Sequence, residues 1–390
     1  MERLWNGNYL KVWTANFMIF FSFMLVTPLL PLYLNEAFGA SKDTIGLVLS
    51  GYALTILLVR PFSGYMVDSF PRKKVLVICY FLFFAMFAGY LLAGSLLLFA
   101  LVRTLHGAPM GATTVANSTV AIDVLHPTRR AEGIGYYGLS NNLATAIAPS
   151  VGLYLYHLWQ NYDVLFGLSL ACAGLGLLIN SSVKLNKRDI VPNKEPLSLD
   201  RFLLTIGWSQ GLSLACLSFS YGVLSTYLAI YGKEELGITT GTGLFFAILS
   251  IGLIMSRLVG ARSLRKGKVV ENASWGMSIS VFGYLLFAAV HNEIGYYGAA
   301  LIIGLGNGHM FPATQTMFIN LAPNSQRGTA NSTQLTAWDI GMGLGIILGG
   351  IFSETWGYGS AFWLAFVVNA VGVIFFFAYA RGHFIRHKLR

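Results

Sequence analysis

The chain has 390 residues, of which 55% are hydrophobic and only 11% charged, with a mean hydropathy of +0.63 and a net charge of +10. A soluble domain carries roughly a quarter charged residues, so the composition excludes a soluble globular protein and points to a polytopic membrane chain. The basic balance invites nucleic acid as a partner, but the placement of the charges argues against it.

Apolar segments of about 20 residues or more, the length that spans ~30 Å of hydrocarbon as helix, recur from end to end. Twelve are predicted, at 10–34, 44–67, 74–93, 95–123, 132–157, 162–183, 202–231, 241–261, 270–290, 295–320, 328–353 and 360–381. Strands of a membrane barrel would alternate polar and apolar residues, and these segments do not. The first follows a short, weakly charged leader without a small-residue cleavage site, and is expected to be a retained helix. Cys79, Cys172 and Cys216 lie inside predicted spans without motif spacing, which implies packing rather than a disulfide or a metal.

The longest polar connection, Lys184 to Arg201, follows the sixth span. It predicts an N-terminal six-helix bundle (1–183), a cytoplasmic linker (184–201) and a C-terminal six-helix bundle (202–390). With an inside amino terminus, only Lys42 and Lys233 fall outside and Arg60, Arg103 and Arg257 lie within spans. The other 21 of the 26 Lys and Arg residues are then cytoplasmic, as the positive-inside rule requires. Both termini are expected on that side, and short loops favour a bacterial inner membrane. The halves echo each other: "LHPTRRAEG" between spans four and five corresponds to "LAPNSQRGTA" between spans ten and eleven, and Asn142 occupies the position of Asp339. Two parallel six-helix halves around a midplane site are a common transporter plan.

Three motifs follow in chain order. "GYMVDSFPRKK" (Gly64 to Lys74) contains Gly64, Asp68, Arg72 and Lys73 in the loop after span two, with Pro71 stiffening it. "RTLHGAPMGA" (Arg103 to Ala112) puts an arginine in a span ahead of small residues. "ATAIAPSVGL" (Ala144 to Leu153) carries Pro149 and Gly152, a span that bends where proline frees a carbonyl or packs closely through its small residues. Together these resemble the signatures of the major facilitator superfamily across essentially the whole chain. The departures are Ser69 for a basic residue, Pro71 for a glycine, His106 for a glutamine and Ala148 for a glycine.

The resemblance implies an all-α membrane fold of twelve helices in two pseudo-symmetric six-helix bundles. It implies that the acid at Asp68 contacts the start of helix eleven, where a partial positive charge resides, while Arg72 and Lys73 are placed to pair with Asp123. These residues would latch and gate rather than bind cargo. It also implies that helices one, four, seven and ten line the cavity. That makes Asn16, Phe20, Arg103, His106, Met110, Thr114, Gln210, Tyr221, Asn307, His309, Phe311 and Gln315 the candidate substrate-binding residues; helix–helix hydrogen bonding is the alternative role for the polar ones. The fifth-helix motif implies export.

Arg103 carries a mid-membrane cost of at least ~2.5 kcal/mol. Its helical face also holds His106, Met110, Thr114 and Asn117, which suits a wet pathway; snorkelling to the outer surface is the alternative. Asp339, near the middle of span eleven, is the one mid-membrane carboxylate of 16 acids. With Arg103 it is the candidate for proton coupling. A permanent structural pair, or a direct ligand for an amine on cargo, remain open roles. No nucleophile–base pair, metal cluster or phosphate loop appears, so no enzyme, metal or cofactor is expected. The expected protein is a monomeric, proton-coupled exporter of a small amphipathic molecule, surrounded by membrane lipid. Export of a zwitterionic metabolite (an opine-type metallophore) or a sugar, uptake by symport, and a membrane sensor are the alternatives.

Overall fold

Short polar residues mark where the helices begin. Side-chain oxygens of Asn6, Ser41, Ser95, Asn161 and Asn292 accept N–H bonds from the turns that follow them, filling donors that a helix start leaves open. In the computed structural model, which describes residues 3–185, 198–238 and 242–389, the helices are α1 (Gly7–Val26), α2 (Leu30–Phe38), α3 (Lys42–Ser69), α4 (Arg72–Leu92), α5 (Leu96–Asp123), α6 (Arg130–Trp159) and α7 (Tyr162–Ser181). They continue with α8 (Trp208–Glu234), α9 (Thr242–Arg265), α10 (Val269–Ala289), α11 (Glu293–Leu321), α12 (Arg327–Trp356), α13 (Tyr358–Phe375) and α14 (Arg381–His387). No strand occurs among the described residues.

Fourteen helices make twelve spans because the first and last are interrupted. Pro28 and Pro31 lack the N–H that continues an α ladder, and a 3-10 turn, Thr27–Leu29, joins α1 to α2. A π-helical turn, Phe376–Ala380, joins α13 to α14. Among the described residues, nine stretches are long and apolar enough to cross a membrane by themselves. The other three, α6, α10 and α11, are diluted by glycine and polar side chains. Most of the predicted linker, at 186–197, lies outside the described residues, as do the charges on Lys187, Arg188, Lys194 and Arg390.

The chain divides into two compact units. Unit 1 comprises Met1–Pro127, Tyr137–Leu203 and Ser325–Ser332; unit 2 comprises Thr128–Tyr136, Leu204–Asn324 and Thr333–Arg390. Each is built on aromatic packing. Tyr80, Phe83, Phe87, Tyr90, Phe99 and Phe166 are buried in unit 1, and Tyr231, Phe245, Tyr284, Phe287, Tyr296 and Phe362 in unit 2. In lipid, apolar burial gives little drive for helix association, and close van der Waals fit through small residues takes over. Gly107 of α5 lies against the Tyr52 carbonyl of α3, and Gly304 of α11 against the Leu249 carbonyl of α9, with no room for a Cβ at either.

Candidate functional site

Unit 1 holds an ion-pair cluster at the end of α3. Asp68 accepts from the backbone N–H groups of Gly328 (2.9 Å) and Thr329 (2.8 Å), from Thr329 Oγ1 (3.0 Å) and from Arg72 (3.1 Å). The carboxylate therefore sits on the open N–H groups of the α12 start, where the helix dipole favours an anion. Arg72 also pairs with Asp123, whose other oxygen accepts from Arg327 at 2.9 Å. Gly64 and Gly328 permit the approach: a Cβ on Gly328 would meet the Gly64 carbonyl at 2.7 Å. Of the two cations expected at Asp123, Arg72 is buried against it while Lys73 is exposed. Arg327, far away in sequence, takes the second place.

Arg103, also in unit 1, does not snorkel. It is 4% exposed, with its guanidinium 4.8 Å from the Phe23 ring centroid and 4.3 Å from that of Tyr52. It donates to Tyr90 Oη at 3.5 Å, and Tyr90 Oη lies 2.9 Å from His106 Nδ1. The Tyr90 hydroxyl thus joins the Arg103 guanidinium to the His106 ring. His106 is walled by Phe83 and Phe87, each 4.9 Å away between centroids.

The face expected to line a wet pathway is thus a sealed one. Met110 lies in the aromatic core, and Thr114 donates to the carbonyls of Met110 or Gly111. Asn117 donates to Tyr137 Oη (2.8 Å), Tyr137 donates to Asn16 Oδ1 (2.7 Å), and Asn16 donates to Ser140 Oγ (2.8 Å). The helical spacing of these residues stands; the physical reason for their closure is that α1, α3, α4 and α6 cover that face. Phe20 is half-buried and packs on the same core. Pro149 lies within an uninterrupted α6, and Gly152 is pressed against the Leu25 carbonyl, a close helix contact.

In unit 2 the candidate residues separate into three groups. Asp339 is half-buried on α12. Its neighbour Trp338 packs between Tyr221 of α8 (5.8 Å between centroids) and Phe311 of α11 (5.3 Å, edge-on). Sequence reasoning selected Tyr221 and Phe311 but missed Trp338, which joins them; its adjacency to the one span-centred acid was the available signal. Asn307 and Gln315 are buried on α11. Gln210 has a structural task, donating to the Ala380 carbonyl (2.9 Å) at the π turn, where the helix ladder shifts. His309 turns toward α9 and α10, with Nδ1 3.3 Å from Asn272 Oδ1. Arg257 donates to the carbonyl of Gly135, in the second turn of α6, at 2.5 Å. Among the described residues no group of three or more His, Cys, Asp or Glu side chains could hold a metal ion.

A sequence profile of the Major Facilitator Superfamily matches residues 12–271 and 272–388. The protein named "Uncharacterized MFS-type transporter YhhS" of Escherichia coli (strain K12) is 24% identical over 340 residues, 84% of this chain and 82% of the relative. Its namesake in Salmonella typhimurium (strain LT2) is 25% identical over 355 residues, covering 87% and 84%. Among solved structures, the transporter FucP in the outward conformation aligns with a TM-score of 0.82 at 16% identity, covering 98% of this chain and 99% of the other. The human organic anion transporter MFSD10 (TETRAN) aligns at 0.77 and 16%, covering 95% and 98%. At such identities the structural likeness speaks for the fold, twelve helices in two pseudo-symmetric six-helix bundles.

Proposed function

This chain belongs to the Major Facilitator Superfamily, and on that premise we propose that it is a proton-coupled transporter which exports a small amphipathic molecule by alternating access. The supporting observation is a half-buried carboxylate in a span, Asp339, one position along α12 from Trp338, whose ring meets Tyr221 and Phe311. An aromatic surface offers binding area to an apolar ring or a cation. A carboxylate beside it can hold a proton in one step and release it in another, because its proton affinity follows its surroundings. Asp339 carries the coupling proton, and Arg103 biases the conformation of unit 1 through its aromatic seat. The Asp68–Arg72–Asp123–Arg327 cluster acts as a latch that does not touch cargo.

On this proposal the protein lies in the bacterial inner membrane as a monomer, with both termini cytoplasmic. Everted membrane vesicles test it. A wild-type protein should accumulate an amphipathic fluorescent cation, ethidium among a panel, when the interior is acid, and Asp339→Asn should abolish the accumulation. Proton-driven accumulation persisting intact in Asp339→Asn would refute the role of Asp339.

A further inference from the structure

Unit 2 has a concavity away from the aromatic group. A cavity of about 360 Å³ lies among the last turns of α9, the first turns of α10 and the middle of α11. Its floor is His309 with Asn272. Asn272 Nδ2 donates to Ser263 Oγ (2.7 Å) and to the Lys268 carbonyl (2.6 Å), so one amide ties the α9–α10 turn and leaves its oxygen toward His309. Gly260 keeps the floor open, since a Cβ there would meet His309 Nδ1 at 2.8 Å.

The mouth differs from the floor. Lys268 and Glu271, three positions apart and therefore on one side of the helix start, line it with opposite charges. Both are exposed, and among the described residues no ion pair takes up either charge. The walls include Val259 and Trp275, which are 70% and 69% exposed. In a spanning helix such apolar exposure means contact with acyl chains, and a tryptophan beside charged residues fits the headgroup level. Arg262, Arg265 and Lys266 crowd the same turn and attract phosphate.

We propose that this cavity seats the headgroup of an ethanolamine phospholipid. The phosphate pairs with Lys268, the primary ammonium with Glu271, and the acyl chains run down Val259 and Trp275. A cation and an anion at one mouth match a zwitterion whose cation has N–H donors. A choline headgroup has no N–H to give, and a glycerol headgroup has no cation. The site is independent of the transport reading and requires only that the protein be embedded in lipid.

The test uses the full chain in nanodiscs containing equal ethanolamine, choline and glycerol phospholipids of identical acyl composition, with retained lipid read by native mass spectrometry. The wild type should retain the ethanolamine lipid about fivefold over either competitor, the size of one well-placed charge contact at a headgroup. Glu271→Gln should bring the three to parity, Glu271→Asp should keep the preference, and Lys268→Gln should lower retention of all three. Both residues are exposed, so the variants should unfold at the wild-type temperature, which a thermal scan checks. No ethanolamine preference in the wild type, a preference for the glycerol lipid, or a preference unchanged in Glu271→Gln would overturn the proposal.

Discussion

The two units share a packing plan and differ in where they put charge. In unit 1, Tyr90 lies 5.1 Å from Phe99 and 5.5 Å from Phe166 between ring centroids; in unit 2, Phe287 lies 5.7 Å from Tyr296 and 4.6 Å from Phe362 at the matching positions. Gly107 against Tyr52 is repeated by Gly304 against Leu249. Inside that common frame, Arg103 of unit 1 stands where unit 2 has Ala300, and His106 where it has Ile303. Conversely, Asp339 of unit 2 stands where unit 1 has Asn142. Two charges within spans thus differ in setting: Arg103 is sealed under aromatic rings in unit 1, and Asp339 is half-buried on α12 of unit 2. Packing was retained in duplicate while chemistry was divided.

The strongest way to break this comparison is to neutralise both members of the acid position. Asp339→Asn should lower proton-driven transport in everted vesicles by about tenfold or more, whereas Asn142→Ala should change it little. Equal losses would mean that the acid is not special. Next, Asp68→Ala removes the acceptor for two α12 N–H groups and for Arg72. It should cost about 3 kcal/mol, read as a lowered thermal midpoint of the purified protein. Arg103→Met tests the sealed cation. With two ring faces and Tyr90 losing their partner, it should destabilise by about 2 kcal/mol, while Ala300→Ser should be close to neutral.

Two smaller effects sharpen the shared part of the plan. Gly107→Ala and Gly304→Ala should cost about 1–3 kcal/mol each, and alike, because both push a methyl group into a carbonyl of the neighbouring helix. Gln210→Leu removes its bond to the Ala380 carbonyl, and a loss of about 1 kcal/mol in thermal unfolding should follow.

The spans were readable because a bilayer demands a long apolar stretch for every crossing, and because Lys and Arg gather on one side of such stretches. The register of Asp68 was equally legible, since a short motif fixes which residue ends α3. Side-chain surroundings were less so. Helices this apolar on all sides carry no stripe that says which neighbour covers which face. Hence Arg103 and His106 were placed correctly on one face of α5, yet nothing in their spacing announced the rings of Phe23, Tyr52, Phe83 and Phe87 over them. Arg327 at Asp123 and Trp338 between Tyr221 and Phe311 depend on tertiary contacts of the same kind. Gln210 resembled a cavity residue because a buried amide looks the same in sequence whether it meets cargo or a carbonyl.

The π turn at Phe376–Ala380 has a geometric consequence for the end of the chain. Such a turn houses one residue more than an α turn, so everything beyond it is swung by about 100° from where an unbroken helix would carry it. The swing sets the azimuth of α14 and brings His383 to 5.8 Å from Tyr379 and 6.2 Å from Trp208 between ring centroids. A one-residue insertion in an ancestral helix is enough to produce that geometry, and the Gln210 amide is the clasp that retains it.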